Sequence, residues 1–253
     1  MVIFENISKS FKSKNDNALI SVVDNLSFKV EKGEFFCIVG PSGCGKSTII
    51  NLIAGFLKPE NGRVLIDDYL VTKPSPKRTV VFQDYILFPW KTVAQNIEFS
   101  LKFKIPEKIQ RKEKVNFFLE KFRLKKFANY YPFEISGGMK QKVALARASA
   151  VEPKIILMDE PLASLDQQTR DLLQEELIKF KNEFSQTIIF VTHNIEEALF
   201  LGDRILVLTQ RPAKFKTIIN NPFQNPRNPD IRNKTDFVNM KHKIWHLLRE
   251  EVI

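Results

Sequence analysis

Short apolar runs of strand length recur along the chain and are separated by polar or helical stretches. The runs that predict strands are 2–7, 26–30, 35–40, 63–68, 79–84, 155–160, 187–192 and 204–210. Helical periodicity follows three of them directly, at 46–56, 167–183 and 195–201. This alternation of strands and helices predicts an α/β domain with a largely parallel central sheet.

The segment 92–150 differs from the rest because it holds no convincing strand. Its pattern predicts several helices that break near Pro106 and near Tyr130–Pro132, since proline interrupts a helix. After residue 210, prolines and asparagines predict an irregular connector over 211–233, and apolar residues at helical spacing predict a last helix over 234–252. The predicted organisation is an α/β core over 1–91 and 151–210, an inserted helical subdomain over 92–150, and a C-terminal connector and helix over 211–253.

Composition excludes some classes of protein. The chain has 253 residues, of which 43% are hydrophobic, yet no apolar stretch approaches the ~18 residues of a membrane span. The N-terminus shows no export signal. We therefore expect neither a secreted nor an integral membrane protein. Two cysteines, Cys37 and Cys44, make no disulfide framework and fit a reducing compartment.

The net charge of +10 is concentrated in part of the chain, since residues 102–126 hold ten Lys or Arg and three Glu. Such an excess can serve a nucleic acid, an anionic membrane surface or an acidic partner, although solvated helix faces are the simplest interpretation. The segment lacks the interleaved aromatics and glycines of an RNA-recognition strand. We expect no nucleic-acid partner.

The stretch from Gly40 to Thr48 matches the phosphate-loop pattern G-x-x-x-x-G-K-[ST]. Glycines in this loop let successive N–H groups turn toward a phosphate, and the helix that starts at Lys46 adds the positive end of its dipole. Lys46 can reach the β- and γ-phosphates, and Ser47 can ligate Mg²⁺. The predicted nucleotide-binding residues here are Gly40, Pro41, Ser42, Gly43, Cys44, Gly45, Lys46, Ser47 and Thr48.

Two carboxylates end the apolar run that starts at Ile155. Parallel sheets present ligand-binding residues at the carboxyl ends of their strands, so Asp159 is a candidate ligand of Mg²⁺ or of its water. Glu160 is a candidate general base for an attacking water. Alone, the pair could be an acidic turn, but the phosphate loop upstream favours catalysis.

A Ser-Gly-Gly sequence, Ser136-Gly137-Gly138, opens a predicted helix and makes a second anion-binding helix N-terminus. Between a phosphate loop and an Asp-Glu pair, it resembles the signature motif of the ATP-binding-cassette (ABC) ATPases. The resemblance covers residues 2–210. It implies a P-loop, RecA-like core with a mainly parallel sheet, an N-terminal antiparallel β part and an inserted helical subdomain, and it implies ATP and Mg²⁺ as cofactors.

The resemblance assigns further residues, each of which has an ordinary structural interpretation when taken alone. Gln83 ends a strand as the family's Q-loop glutamine does, and the resemblance implies that it is a further Mg²⁺ ligand beside Ser47 and Asp159. His193 resembles the switch histidine. Asp166 falls in a D-loop-like sequence, and Phe11 lies where the family often stacks an aromatic ring on adenine. The implied catalytic residues are Lys46, Gln83, Glu160 and His193.

The chain departs from the family at several positions. Ile135 and Lys142 replace the usual leucine and arginine around the signature motif. Before Asp166 the order is Ala163-Ser164-Leu165, where the family often has Ser-Ala-Leu. The departures leave every implied catalytic group in place, but they put the contacts of the displaced serine in question.

The resemblance implies a head-to-tail dimer around two ATP molecules, either a homodimer or a heterodimer with a related ATPase. Three roles are open: an importer subunit, an exporter half without its membrane part, and a soluble ABC ATPase of DNA repair or translation. The sequence from Tyr131 to Gly138 resembles bacterial importers, and 92–150 is too short for the coiled coils of repair proteins. The importer is the favoured role. It implies a membrane permease, indirectly a solute-binding protein, and a place on the cytoplasmic face of the inner membrane.

The C-terminal sequence narrows the solute class. The run from Leu208 to Lys214 and the later Asn225-Pro226-Arg227 resemble the nitrate/sulfonate/taurine importers, a group that also includes importers of vitamin-precursor pyrimidines. The apolar residues after Gln83, within 84–90, predict a surface for the permease. The alternative is that they pack inside the helical subdomain.

Overall fold

The computed structural model of the chain describes residues 1–13 and 17–249. The strands are β1 (Val2–Lys12), β2 (Leu19–Val30), β3 (Phe35–Val39), β4 (Asn61–Ile66), β5 (Tyr69–Leu70), β6 (Arg78–Val81), β7 (Ile155–Asp159), β8 (Thr187–Thr192), β9 (Arg204–Leu208) and β10 (Phe215–Asn220). The helices are α1 (Lys46–Ala54), α2 (Val93–Leu101), α3 (Lys108–Lys121), α4 (Gly137–Ala150), α5 (Gln167–Phe184), α6 (Ile195–Leu201) and α7 (Thr235–Arg249). Short 3-10 turns lie at 125–127, 132–134 and 229–233.

The chain divides into two compact units. The first comprises residues 1–75 and 174–253, and the second comprises residues 76–173. Within the described residues, no helix combines the length and the apolar character that crossing a membrane requires.

The first unit contains the antiparallel sheet and the parallel strands that carry the phosphate loop. Its N-terminal sheet has the order β2-β1-β4-β5 and is antiparallel throughout. In its other sheet β3 lies between β8 and β9 and is parallel to both, and β10 pairs antiparallel with β9. Every residue of β3 and β8 is buried, as expected for parallel strands covered on both faces. Helices α1 and α6 contact these strands.

The second unit is mainly helical. Its two strands, β6 and β7, are parallel and adjacent. Helix α2 packs on α3 and α4, and α4 also contacts β6. Helix α2 begins with a capping box, in which the Thr92 hydroxyl accepts from the Gln95 N–H and the Gln95 side chain accepts from the Thr92 N–H. The apolar side chains Val93, Ile97 and Leu101 bury one face of this helix.

The predicted fold class is confirmed, with differences in particular elements. The irregular connector predicted over 211–233 is wrong in part, because residues 215–220 form β10. That strand depends on its pairing with β9, which the local sequence does not reveal. The strand predicted over 79–84 ends at Val81, so Gln83 lies in the following loop. The last predicted helix is present over the described residues, and its residues 250–252 lie outside them.

Candidate nucleotide site

The phosphate loop leaves the end of β3 and enters α1. Gly43 and Gly45 have φ values of 72° and 125°, a backbone that residues with a side chain rarely adopt. An added Cβ on Gly40 would lie 2.8 Å from the Cys44 Sγ, so the sulfur packs against the loop's own backbone. Cys44 is buried.

Lys46 lies inside the curl of the loop and is 5% exposed. Its ammonium donates to the carbonyl oxygens of Gly40 and Pro41 at 3.0 and 2.9 Å. The first turn of α1 also carries Ser47, whose side chain is exposed, and it has no acidic residue. A fixed cation, a helix N-terminus and glycine backbone in one loop make a site for phosphate.

His193 lies at the same end of the sheet as the phosphate loop. Strands β3 and β8 are parallel neighbours in which Val39 pairs with Thr192, so Gly40 and His193 each follow one member of this pair. The Thr192 hydroxyl donates to the Glu197 carboxylate at 2.6 Å and accepts from the Asn194 N–H at 3.0 Å. The backbone on both sides of His193 is therefore fixed by a buried carboxylate.

In the second unit, the parallel pairing of two strands brings Gln83 and the carboxylate pair to the carboxyl ends of β6 and β7. Val81 pairs with Met158 in the parallel strands β6 and β7, so Gln83 and Asp159 both follow these paired residues. Glu160 has a φ of 46°, which turns the chain sharply out of the strand. Asp159 and Glu160 are half-buried and Gln83 is exposed. Carboxylate and amide oxygens are suitable donors for Mg²⁺.

The signature motif begins α4. Ser136 is the N-cap, and its hydroxyl accepts from the Met139 N–H at 3.3 Å. An added Cβ on Gly138 would lie 2.4 Å from the Thr169 Cγ2, so only glycine permits the close packing of α4 on the start of α5. Asp166 accepts from the Thr169 N–H at 3.0 Å. This hydrogen bond holds the pKa of Asp166 below its usual value.

Phe11 lies near the end of β1 and is 38% exposed. The Lys9 ammonium lies 5.5 Å from the centre of its ring. An exposed ring beside a cation is compatible with stacking on a base, and the role of Phe11 in adenine binding stays a prediction.

Two residues that sequence reasoning missed organise the loop after Gln83. Asn96, on α2, is fully buried, accepts from the Phe88 N–H and donates to the Phe88, Lys91 and Thr92 carbonyls. Arg147, on α4, donates to carbonyls of the same loop. The signal for Arg147 was an arginine in an otherwise small and apolar helical stretch, 143–150, where a buried cation needs acceptors.

The described residues hold no group of three or more His, Cys, Asp or Glu side chains that could bind a metal by themselves. The predicted Mg²⁺ ligands Ser47, Gln83 and Asp159 are not such a group, since they include one carboxylate. Their hard oxygen donors fit Mg²⁺, which usually keeps waters and takes further oxygens from substrate phosphates.

Comparison with known proteins identifies the family. A family model described as ABC transporter matches residues 23–163. An uncharacterized ABC transporter ATP-binding protein of Methanocaldococcus jannaschii is 42% identical over 98% of this chain and 91% of its own length. An aliphatic sulfonates import ATP-binding protein of Bacillus cereus is 41% identical over 96% of this chain and 94% of its own.

Solved structures agree. A dimeric bacterial ABC transporter cassette is 32% identical, with a TM-score of 0.77 over 88% of this chain and all of its own. The same cassette, with the same identity, coverage and TM-score, has been solved as a dimer in a post-hydrolysis state bound to ADP and phosphate. With a family model that matches more than half of it and relatives similar along nearly its whole length, the chain belongs to the ABC transporter family as an ATP-binding subunit, and it is an ATPase.

Proposed function

We propose that the chain is the ATP-hydrolysing subunit of an importer, and that it dimerises around two ATP to drive a small solute through a membrane permease. The observation that carries the importer role is the near full-length similarity to a subunit named for the import of aliphatic sulfonates. The solute is then nitrate-, sulfonate- or taurine-like, or a vitamin precursor. A soluble ABC ATPase of DNA repair or translation is not favoured.

Dimerisation follows from the number of phosphate-binding elements. The chain has two glycine-rich helix starts, one at Lys46 and one after Ser136, and one ATP has one γ-phosphate. A second subunit uses both: the phosphate loop of one chain and Ser136, Gly137 and Gly138 of the other hold the same nucleotide. Hydrolysis removes the shared phosphate and opens the dimer.

The role proposed for each residue follows from the chemistry of its side chain. Lys46 neutralises phosphate charge, and Ser47, Gln83 and Asp159 would hold Mg²⁺, which supplies charge neutralisation when bound. Glu160 accepts the proton of the water that attacks the γ-phosphorus, as the bond from that phosphorus to the β-phosphate oxygen breaks to give ADP and phosphate. His193 contacts the γ-phosphate from the adjacent strand end.

Residues 84–90 supply the proposed contact with the permease. Ile86 is 53% exposed and Trp90 is 70% exposed, which leaves apolar surface for a partner. A solute-binding protein would act through the permease without touching this chain. The complex would lie on the cytoplasmic face of the membrane.

Replacing Glu160 by Gln tests the assignment of the general base. The Glu160→Gln chain is expected to bind ATP with Mg²⁺ but to hydrolyse it at least ~100-fold more slowly, in the range of general-base catalysis, because an amide cannot accept the water's proton. Size-exclusion chromatography with ATP is expected to show a dimer that persists. Glu113→Gln, the same change at an exposed position of α3, is the control. Turnover at the wild-type rate in Glu160→Gln would remove Glu160 from the mechanism.

Growth of a sulfonate-importer-deficient strain tests the solute class. The chain, supplied together with the permease and solute-binding protein of a sulfonate importer, is expected to restore growth on a sulfonate as sole sulfur source, and Glu160→Gln is not. Growth on another solute of the group, but not on a sulfonate, would change the solute assignment. Absence of ATPase activity in the wild-type chain would contradict the proposed function.

A further inference from the structure

One phenol group links three motifs of the second unit. Tyr85 lies two residues after Gln83, and its hydroxyl is 2.8 Å from the Ser164 Oγ. An added Cβ on Gly137 would lie 3.3 Å from the same hydroxyl. The side chain of Tyr85 thus reaches from the loop after β6 to the turn after β7 and to the start of α4.

The backbone that carries Tyr85 is held in an unfavourable conformation. Tyr85 and Ile86 have φ values of 50° and 44°, in the left-handed region that residues with a Cβ seldom occupy, least of all a β-branched one. Arg147 donates to both of their carbonyls, at 3.1 Å to Tyr85 and 2.7 Å to Ile86. Its guanidinium also lies 5.7 Å from the centre of the Phe88 ring.

Burial lowers the pKa of Arg147 from its ordinary value, yet two carbonyls and a ring face compensate the cation. A segment fixed in this way has few conformations available. The contact of the Tyr85 hydroxyl with Ser164 connects this segment to the turn after β7.

Ser164 lies in the turn that follows β7, two residues before Asp166. The sequence here is Ala163-Ser164-Leu165-Asp166, and the hydroxyl of Ser164 is the one that Tyr85 contacts. On the other side of this turn, Asp166 caps α5 through the Thr169 N–H. The position of Ser164 therefore depends on the turn between Glu160 and Asp166.

We propose that Tyr85 is a positioning residue that, through the hydroxyl of Ser164, couples residues 84–90 to the turn 160–166. The pair gives the two segments one shared arrangement, so that a shift of either changes the population of the other. Its meaning for transport rests on the proposed function, in which 84–90 meets the permease and Glu160 acts on ATP. The contact between the Tyr85 and Ser164 hydroxyls does not depend on the proposed function.

Hydrogen exchange of the full-length chain, followed by mass spectrometry on peptides covering 84–90, tests the pair in two stages. Without nucleotide, Tyr85→Phe and Ser164→Ala are each expected to lower protection about two- to tenfold, the size of one neutral hydrogen bond. The double variant is expected to lower it no further. Ser164→Thr keeps a hydroxyl and is expected to restore protection. Tyr69→Phe, on the exposed strand β5, is the matched control.

With ATP and Mg²⁺, the wild type and Tyr69→Phe are expected to change exchange in 84–90, and Tyr85→Phe and Ser164→Ala are expected to lose at least half of that change. Equilibrium binding of ATP is expected to be equal in all variants. Additive losses of protection in the double variant, failure of Ser164→Thr to restore it, or an ATP response that survives both single variants would overturn the proposal. A wild type that binds no ATP would contradict the proposed function but leave the first stage intact as a test of the pair.

Discussion

Gly45 offers the sharpest test of how the phosphate loop is built, because Gly43 in the same loop is its natural control. An added Cβ on Gly45 would lie 2.8 Å from the Val22 carbonyl oxygen and 3.0 Å from the Val22 Cγ1. That oxygen accepts from the Ala213 N–H at 2.8 Å, so it cannot retreat without breaking this bond. Around Gly43, no described atom lies within 4 Å of an added Cβ.

The cost of each alanine can be estimated from these facts. At Gly43, with φ 72°, a left-handed alanine costs about 1–2 kcal/mol. At Gly45, with φ 125°, the backbone strain is about 1–3 kcal/mol, and the overlap with Val22 adds about 1–3 kcal/mol. Gly45→Ala is therefore expected to be the less stable variant by about 2–3 kcal/mol.

Thermal unfolding of the nucleotide-free chain measures this difference without involving ATP. For a chain of this size, 1 kcal/mol corresponds to roughly 2–4 °C, so Gly45→Ala is expected to melt roughly 4–12 °C below Gly43→Ala. Circular dichroism at one scan rate for both variants is sufficient. Equal melting temperatures would refute the argument that the Val22 carbonyl excludes a side chain at Gly45.

Three further outcomes are expected. Glu197→Ala removes the acceptor of the buried Thr192 hydroxyl, so it should slow ATP hydrolysis about tenfold or more with unchanged ATP binding. Glu197→Gln keeps an acceptor and should retain most of the ATPase activity. Equal hydrolysis rates in the two variants would contradict this role of Glu197. Hydrogen bonding to Lys114, supported by Lys104, holds the pKa of Glu152 below its ordinary 4.5. Its stabilisation is thus present above that value and lost as pH falls through the lower folded pKa, so Glu152→Gln should cost up to ~1 kcal/mol in urea unfolding at pH 7, and this cost should shrink as the pH is lowered below 4.5. Burial raises the pKa of the Cys37 thiol well above its ordinary value, so a disulfide reagent at pH 8 should label it only as the chain unfolds; immediate labelling in a Cys44→Ala chain would show otherwise.

The sequence was most informative where local pattern and buried environment coincide. The strand before the phosphate loop and the strand before Asp159 are continuous apolar runs, and both appear within a residue of the predicted bounds. Helix α6 begins and ends as predicted, because Asn194 caps it with hydrogen bonds from the Glu196 and Glu197 N–H groups. In these elements, propensity, capping and burial all favour the same structure.

The sequence was least informative where the structure depends on a distant partner. Strand β10 exists because β9 offers an unpaired edge to it, and nothing in the proline-rich surroundings marks it. The hydrogen bond between Tyr85 and Ser164 joins residues far apart in the chain, so no periodicity in the sequence reveals it. The sequence shows a serine at position 164 but not that its hydroxyl contacts Tyr85.

The left-handed backbone positions of the phosphate loop differ in residue type from those in the loops that follow β6 and β7. In the phosphate loop they are Gly43 and Gly45, which adopt these φ values at little cost. In the loops that follow β6 and β7 they are Tyr85, Ile86 and Glu160, each of which carries about 1–2 kcal/mol of strain. Glycine adopts these φ values without steric strain, whereas a strained segment keeps its shape only while other groups hold it, as Arg147 and Ser164 hold the loop after β6. The shapes of the loops that follow β6 and β7 therefore depend on those hydrogen bonds, whereas the two left-handed glycines of the phosphate loop carry no comparable steric strain.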